Sequence, residues 1–160
     1  TYREAAPAIA SYGRAVNEAL AKWFPTGLDE IMVEPGRYMV ADAGLMRTEV
    51  VLVSRRSAED FERWVYLDCG KFHGLAETMD EAIRYRIRTP YDGQDVPMGA
   101  VALAGPTCDS ADVLYEKTPY DLPVTLNVGD EVLIEATGAY TTTYSSVAFN
   151  GFAPLRAVCI

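Results

Sequence analysis

With a single histidine, His73, and three scattered cysteines, Cys69, Cys108 and Cys159, this chain of 160 residues offers no credible metal cluster. The cysteines form no CxxC pair. An odd, widely spaced set suits free thiols in a reducing cytosol, so the expected location is cytoplasmic. A basic stripe is missing too: 14 Lys and Arg against 23 Asp and Glu give a net charge of −9, which argues against nucleic acid as a partner. No apolar run approaches the roughly 20 residues of a membrane span, and no signal-peptide pattern opens the chain. The first residue is Thr1 rather than Met, so a fragment or processed chain is expected. Internal repeats and low-complexity tracts are absent. What is present is 49% hydrophobic residues, enough for one domain with a core. The acidic balance suits a cationic substrate, but a solvated acidic surface explains it more simply.

Residues 4 to 24 read as one helix. Ile9, Tyr12, Val16, Leu20 and Trp23 recur at spacings of three and four, and Pro25 and Gly27 stop the pattern. Ile31 to Val33 reads as a short buried strand that ends at Glu34 and turns at Pro35-Gly36. Helix, loop and buried strand make one repeat of an α/β barrel, a fold whose functional residues sit at the carboxyl ends of strands. After Gly44 the texture becomes β. Thr48–Ser54 and Arg63–Asp68 read as strands around a polar hairpin, Arg55 to Glu62. Ala82–Arg88, Met98–Leu103, Glu131–Thr137 and Leu155–Ile160 are further strand candidates, with loops at Pro90–Pro97 and Thr118–Pro123 and a turn at Asn127–Asp130. The predicted fold is α+β, mainly β. Residues 1–43 form the last helix and strand of a TIM-type α/β barrel, and residues 44–160 form an antiparallel β-sandwich or barrel. One helix and one strand cannot close a barrel, so their apolar faces would be left open to water.

Three stretches carry chemistry. Gly105-Pro-Thr-Cys-Asp-Ser-Ala-Asp112 sets a thiol beside a carboxylate behind a Gly-Pro turn. Cys108 can give or take a proton and Asp109 can hold a cation, although a buried Cys and a turn-forming Asp explain the octapeptide equally well. Glu34-Pro-Gly-Arg37 pairs a carboxylate with a guanidinium. Taken alone, Glu34 is more simply an acid bonding the turn at Gly36, and Arg37 a member of a surface ion pair. Gly138-Ala-Tyr-Thr141 precedes Tyr144 and Phe149-Asn-Gly-Phe152.

In this order, over essentially the whole chain, the three stretches resemble the C-terminal half of the pyridoxal-phosphate decarboxylases of the alanine-racemase fold. Cys108-Asp109-Ser110-Ala111-Asp112 with Phe149-Asn-Gly-Phe152 is similar to the ornithine/lysine branch. The resemblance implies pyridoxal 5′-phosphate as cofactor and a basic amino acid as substrate, converted to putrescine or cadaverine and CO2. It also implies an N-terminal barrel portion of the same enzyme and a homodimer whose Cys-Asp loop enters the partner's site. It assigns Glu34 to the cofactor's pyridine nitrogen, and Arg37 and Tyr140 to its phosphate. Cys108 becomes the acid that reprotonates the α-carbon, Asp109 the partner of the distal ammonium, and Phe149 a wall of the substrate pocket. For Asp112 it allows an ion pair at a subunit boundary, equalled by a solvated loop acid.

Two features fall short of that pattern. The family links its cofactor covalently to a lysine, and none of Lys22, Lys71 and Lys117 lies in the family's lysine motif. The chain by itself is therefore expected to be inactive. In eukaryotic ornithine decarboxylases a second substrate-binding Asp directly precedes a Gly, whereas here Cys69 precedes Gly70 and Asp68 lies one residue earlier, on the opposite face of a strand. His73, in a Gly-flanked loop, reads as incidental. Two competing readings remain: a non-catalytic decarboxylase homologue that binds partners and regulates polyamine synthesis, and a free-standing β-domain used for association. The joint presence of Cys108 with Asp109 and Glu34 with Arg37 weighs against both.

Overall fold

The structure, a computed structural model, describes residues 6–59 and 63–160. Helix α1 spans Ile9–Trp23 and buries none of its residues. The expected start at residue 4 lies outside the described residues, and residues 6–8 are not helical. Ala8, following Pro7, is extended (φ −64°, ψ 148°) and caps α1 without a side-chain hydrogen bond. The apolar stripe exists but faces outward: Ile9 is 62% exposed and Trp23 68%. The buried strand expected at Ile31–Val33 is absent, and Met32 is 76% exposed. A fully buried parallel strand needs neighbours beside it and helices over both faces, and no strand among the described residues pairs with these. A single-turn helix, α2 (Arg37–Val40), and a 3-10 turn (Ala41–Ala43) lead into the sheet.

Six strands follow: β1 (Leu45–Ser54), β2 (Arg63–Leu67), β3 (Ile87–Arg88), β4 (Met98–Ala104), β5 (Val113–Pro123) and β6 (Glu131–Glu135). Their order in the sheet is β3-β6-β1-β2-β4-β5. Strand β1 shows why the sheet has an inner face: Met46, Thr48 and Val50 are buried while the residues between them are exposed. It pairs antiparallel with β6, Met46 opposite Ile134, and with β2, Val53 opposite Val65. The sheet is not purely antiparallel as expected. Strands β2 and β4 run parallel, Arg63 opposite Val101, because the segment between them is a long crossover rather than a hairpin.

The sheet curls until its two ends meet. Tyr115 Oη on β5 accepts from Tyr85 N at 2.9 Å and donates to Ile83 O at 3.0 Å. Tyr120 Oη donates to Tyr85 O at 3.0 Å and accepts from Ile87 N at 3.3 Å. Arg84 lies over the Tyr115 ring, 4.6 Å from guanidinium carbon to centroid, and donates to Thr118 O at 2.8 Å. These side chains bridge the first and last strands, giving a half-barrel around a core that includes Val50, Leu67, Leu75, Leu103 and Val132.

Three further expectations change. Ala82–Arg88 shortens to Ile87–Arg88, since Ile83 and Tyr85 give their backbone groups to tyrosine hydroxyls instead of a ladder. Leu155–Ile160 forms no strand, for the sheet edges are already joined to each other. Thr118–Pro123, expected as a loop, is the second half of β5. Pro119 and Pro123 are tolerated because β5 stands last in the strand order, where proline's missing donor can be spared.

Candidate functional site

Glycines bring the first and third motifs together. Gly138 N donates to Ala41 O at 2.9 Å, and a Cβ on Gly138 would come within 1.9 Å of Val40 O. Gly44 has the same constraint from the other side, 2.1 Å from Gly138 N. This close crossing sets Tyr140 beside the Glu34–Arg37 turn. The Arg37 guanidinium lies over the Tyr140 ring, 5.0 Å from the centroid, and a Cβ on Gly36 would stand 3.3 Å from Tyr140 Oη. Tyr140 itself holds a left-handed backbone (φ 56°), a costly conformation for a bulky residue and one that clusters at functional sites. Arg37 also forms a half-buried ion pair with Glu77, from the 3-10 segment Ala76–Glu81. Glu34 is exposed next to this group.

The second motif builds a tight loop around a buried acid. Gly105 N donates to Asp112 O at 2.7 Å, and Asp112 N to Asp109 O at 2.9 Å. The Asp112 carboxylate, 1% exposed, accepts from Lys71 N at 2.7 Å, Thr107 N at 3.2 Å and Thr107 Oγ1 at 2.7 Å. Gly70 and Gly105 pack against it so closely that a Cβ on either would collide. Asp112 is thus not a solvated loop acid; its oxygens are engaged within this chain. The loop it braces displays Cys108, exposed and left-handed (φ 59°), and Asp109, whose Oδ1 accepts from Ala111 N at 2.8 Å.

The Phe149-Asn-Gly-Phe152 stretch reaches the same loop. Asn150 Nδ2 donates to Thr107 O at 2.9 Å, so the residue preceding Cys108 is held by Asp112 on one side and Asn150 on the other. Phe149 stacks on Phe72, centroids 3.9 Å apart. The segment 70–77 therefore touches both clusters: Lys71 N and Phe72 at the thiol loop, Glu77 at Arg37. His73 lies between, buried, edge-on to Phe152 at 5.4 Å, with no hydrogen-bond partner at Nδ1; it is part of the framework, not incidental. Sequence reasoning did not place Glu77, Asn150 or the inward-facing Asp112 here. The Asn-Gly pair and the two glycines opposite Asp112 were the available signals.

Strand β2 settles the neighbouring acid and thiol. Asp68 accepts from Thr48 Oγ1 and from Glu49 N, the latter at 3.0 Å, while Cys69 points inward, 5% exposed and 3.4 Å from the Met46 sulfur. Burial first, with Asp68 and Asp112 nearby, pushes the Cys69 thiol up to about 12 despite the opposing Thr48 bond, so Cys69 stays neutral.

The bare Gly36 backbone, the guanidinium and the phenol are a donor set suited to a phosphate, and Glu34 adds a carboxylate beside it. Of the three lysines, Lys22 lies over the Trp23 ring at 4.6 Å, Lys117 pairs with Asp80 at 2.9 Å, and Lys71 lines a polar concavity beside that pair. Two concavities stand out, an apolar one lined by Leu20, Phe24, Leu28 and Ile31 and a polar one lined by Lys71, Asp80, Ser110 and Lys117. Neither is lined by Glu34, Arg37, Tyr140, Cys108 or Asp109.

The curled sheet carries both the thiol loop and the Arg37–Tyr140 cluster. The chain belongs to the pyridoxal-dependent decarboxylases: residues 31–138 match the sequence model of their C-terminal sheet domain. It is 31% identical over 144 residues to a lysine/ornithine decarboxylase of Selenomonas ruminantium, covering 90% of this chain and 34% of that protein. It is 35% identical over 148 residues to antizyme inhibitor 2 of Xenopus laevis, covering 86% and 32%. A lysine/ornithine decarboxylase of Vibrio vulnificus, solved with cadaverine, superposes with a TM-score of 0.79 at 30% identity, over 100% of this chain and 41% of that one. The chain spans about a third of the length of these curated relatives.

Proposed function

We propose that this chain is the C-terminal portion of a decarboxylase that converts ornithine and/or lysine to the diamine plus CO2, completed by an N-terminal barrel portion and by a second protomer. The observation that carries the reading is the thiol loop: Cys108 displayed on a strained, glycine-lined turn whose preceding residue is held from both sides. Residues 1–43 belong with the missing barrel and residues 44–160 form the sheet domain. The uncovered apolar stripe of α1 and the exposed Ile31–Val33 supply a face for that barrel.

Pyridoxal phosphate supplies an electron sink for the bond to the departing carboxylate. Glu34 keeps the pyridine nitrogen protonated, which strengthens that sink. Arg37 and Tyr140 hold the phosphate. Cys108, contributed to the partner protomer's site, delivers a proton to the α-carbon after CO2 leaves. Asp109 keeps acceptor capacity beyond its bond to Ala111 N and takes the substrate's distal ammonium. Phe149 lines the pocket from its stack on Phe72. With the barrel's lysine absent, the 160-residue chain alone forms no covalent link to the cofactor.

The likeness to antizyme inhibitor 2 supports a second reading, a decarboxylase homologue that acts by binding partners. One panel separates the two. The complete protein is assayed with ornithine, lysine, arginine and diaminopimelate, as wild type and as Asp109→Ala. Ornithine and lysine should be turned over at similar rates, since one methylene is worth only ~1–3 kcal/mol. Diaminopimelate should be poor, and Asp109→Ala should cut kcat/KM for the diamines' precursors by about 30-fold or more, because the cation is desolvated with nothing to receive it. No turnover of any substrate by the loaded wild type favours the partner-binding reading. A wild-type preference for diaminopimelate, or an undiminished Asp109→Ala, overturns the role of Asp109.

A further inference from the structure

Arg37 is gripped by a residue that none of the three motifs contains. We propose that Glu77 is a positioning residue for the cofactor's phosphate group, acting through Arg37: it fixes the guanidinium in the orientation in which the phosphate meets it. This rests on the reading of Arg37 as the phosphate ligand.

The placement of Glu77 is built into the fold. The segment that carries it is pressed against the third motif, for a Cβ on Gly74 would lie 2.7 Å from Thr141 O. Thr78, 1% exposed, anchors the segment by donating from Oγ1 to Leu75 O at 2.6 Å, and Ile83 N donates to Glu77 O at 3.1 Å. The Glu77 backbone therefore stands on a braced turn and not on a free loop. From there its carboxylate bonds Arg37 Nη2, while the Tyr140 ring covers the guanidinium at 5.0 Å. The two side chains are 23% and 24% exposed, so solvent screens this ion pair less than it screens a fully exposed one.

Holding an arginine matters because its side chain is rich in rotamers. An arginine ordered only on binding weakens binding by the cost of that ordering; one ordered by the fold does not. Its planar fork of donors also recognises a phosphate only in a limited set of orientations. A carboxylate on one nitrogen and a ring across the plane define such an orientation.

The test is a cofactor titration of the complete enzyme in its cofactor-free form, using pyridoxal phosphate and, as a control, pyridoxal, which has no phosphate. Glu77→Ala should weaken pyridoxal phosphate about tenfold, the scale of one charge-assisted hydrogen bond, and leave pyridoxal nearly unchanged. Arg37→Ala should do the same, and the double variant should be no worse than Arg37→Ala alone. Glu77→Gln, which keeps an acceptor oxygen, should recover most of the loss. Equal weakening of both ligands by Glu77→Ala would show a general structural defect and overturn the inference, as would additive losses in the double variant. If Arg37→Ala discriminates against pyridoxal phosphate while Glu77→Ala has no effect, Glu77 has no part in phosphate binding. If Arg37→Ala has no effect on either ligand, the reading of Arg37 itself fails and takes the inference with it.

Discussion

Between residues 6 and 40 no side chain is buried, although the stretch holds Ile9, Tyr12, Val16, Trp23, Ile31, Met32 and Val33. Between Leu45 and Ile134 the same kinds of residue reach zero exposure at Val50, Val65, Leu67, Val101 and Val132. Both regions have clear apolar periodicity, so pattern alone does not decide burial. A strand or helix buries its face only if the chain supplies the surface opposite. The sheet supplies its own by curling, with the Tyr115 and Tyr120 hydroxyls joining its ends. Among the described residues the N-terminal region has no such counterpart, and the proposed barrel portion is what would supply it.

The largest effect should come from opening the self-sufficient region. Leu67→Ala removes a fully buried side chain on β2 and should cost 2–5 kcal/mol in denaturant unfolding. A loss below about 1 kcal/mol would mean that the sheet's interior is no true core.

Next in size is a functional effect at the thiol loop, which the proposed function sends into another protomer's site. In the complete enzyme, Cys108→Ala should reduce diamine formation on the order of 10²-fold or more and divert protonation away from the α-carbon. Unchanged turnover and products would make Cys108 a packing residue.

A smaller effect concerns acid. Burial of Glu81 pushes its carboxyl upward, but the amides of Glu116, Thr118 and Lys117 and the Arg84 charge outweigh it and hold the pKa below its usual value. The stabilisation is therefore complete above the unfolded carboxyl's pKa and is lost as pH falls through the lower folded value. Glu81→Gln should cost about 1.5 kcal/mol at neutral pH, and thermal melts should show the gap to wild type closing in acid. A gap that persists at low pH would rule out the ionised carboxylate as its source.

The smallest effect is the one that sharpens the contrast. Val16→Ser, on the outward stripe of α1, should change the stability of this chain by less than about 0.5 kcal/mol, as for other exposed positions. A loss comparable to that of Leu67→Ala would mean that α1 packs on the sheet.

How much of this was legible in the sequence follows from the same distinction. Strands β1, β2, β4 and β6 were readable because each alternates or runs apolar between turn residues. Strand β5 was hidden by Pro119 and Pro123, which only an edge strand tolerates. The parallel pairing of β2 with β4 is a property of the crossover, not of either strand's composition. At the candidate site, the adjacency of Arg37 and Tyr140 was expected only from the family resemblance, which assigns both to one phosphate. The inward turn of Asp112 was not, since a carboxylate in a loop gives no sign of whether backbone amides will surround it. Glu77 and Asn150 act on residues 40 and 43 positions away, beyond the reach of any local pattern.

If the sheet region is self-sufficient, it folds by itself, while the apolar stripe of α1 and Ile31–Val33 find no covering surface among the described residues. Amide hydrogen exchange on the 160-residue chain tests it most directly. Strong protection should be confined to the strands from Leu45 to Glu135, with the amides of Ile9–Trp23 exchanging as a marginal isolated helix does. Protection of Ile9–Trp23 equal to that of β2 would contradict it.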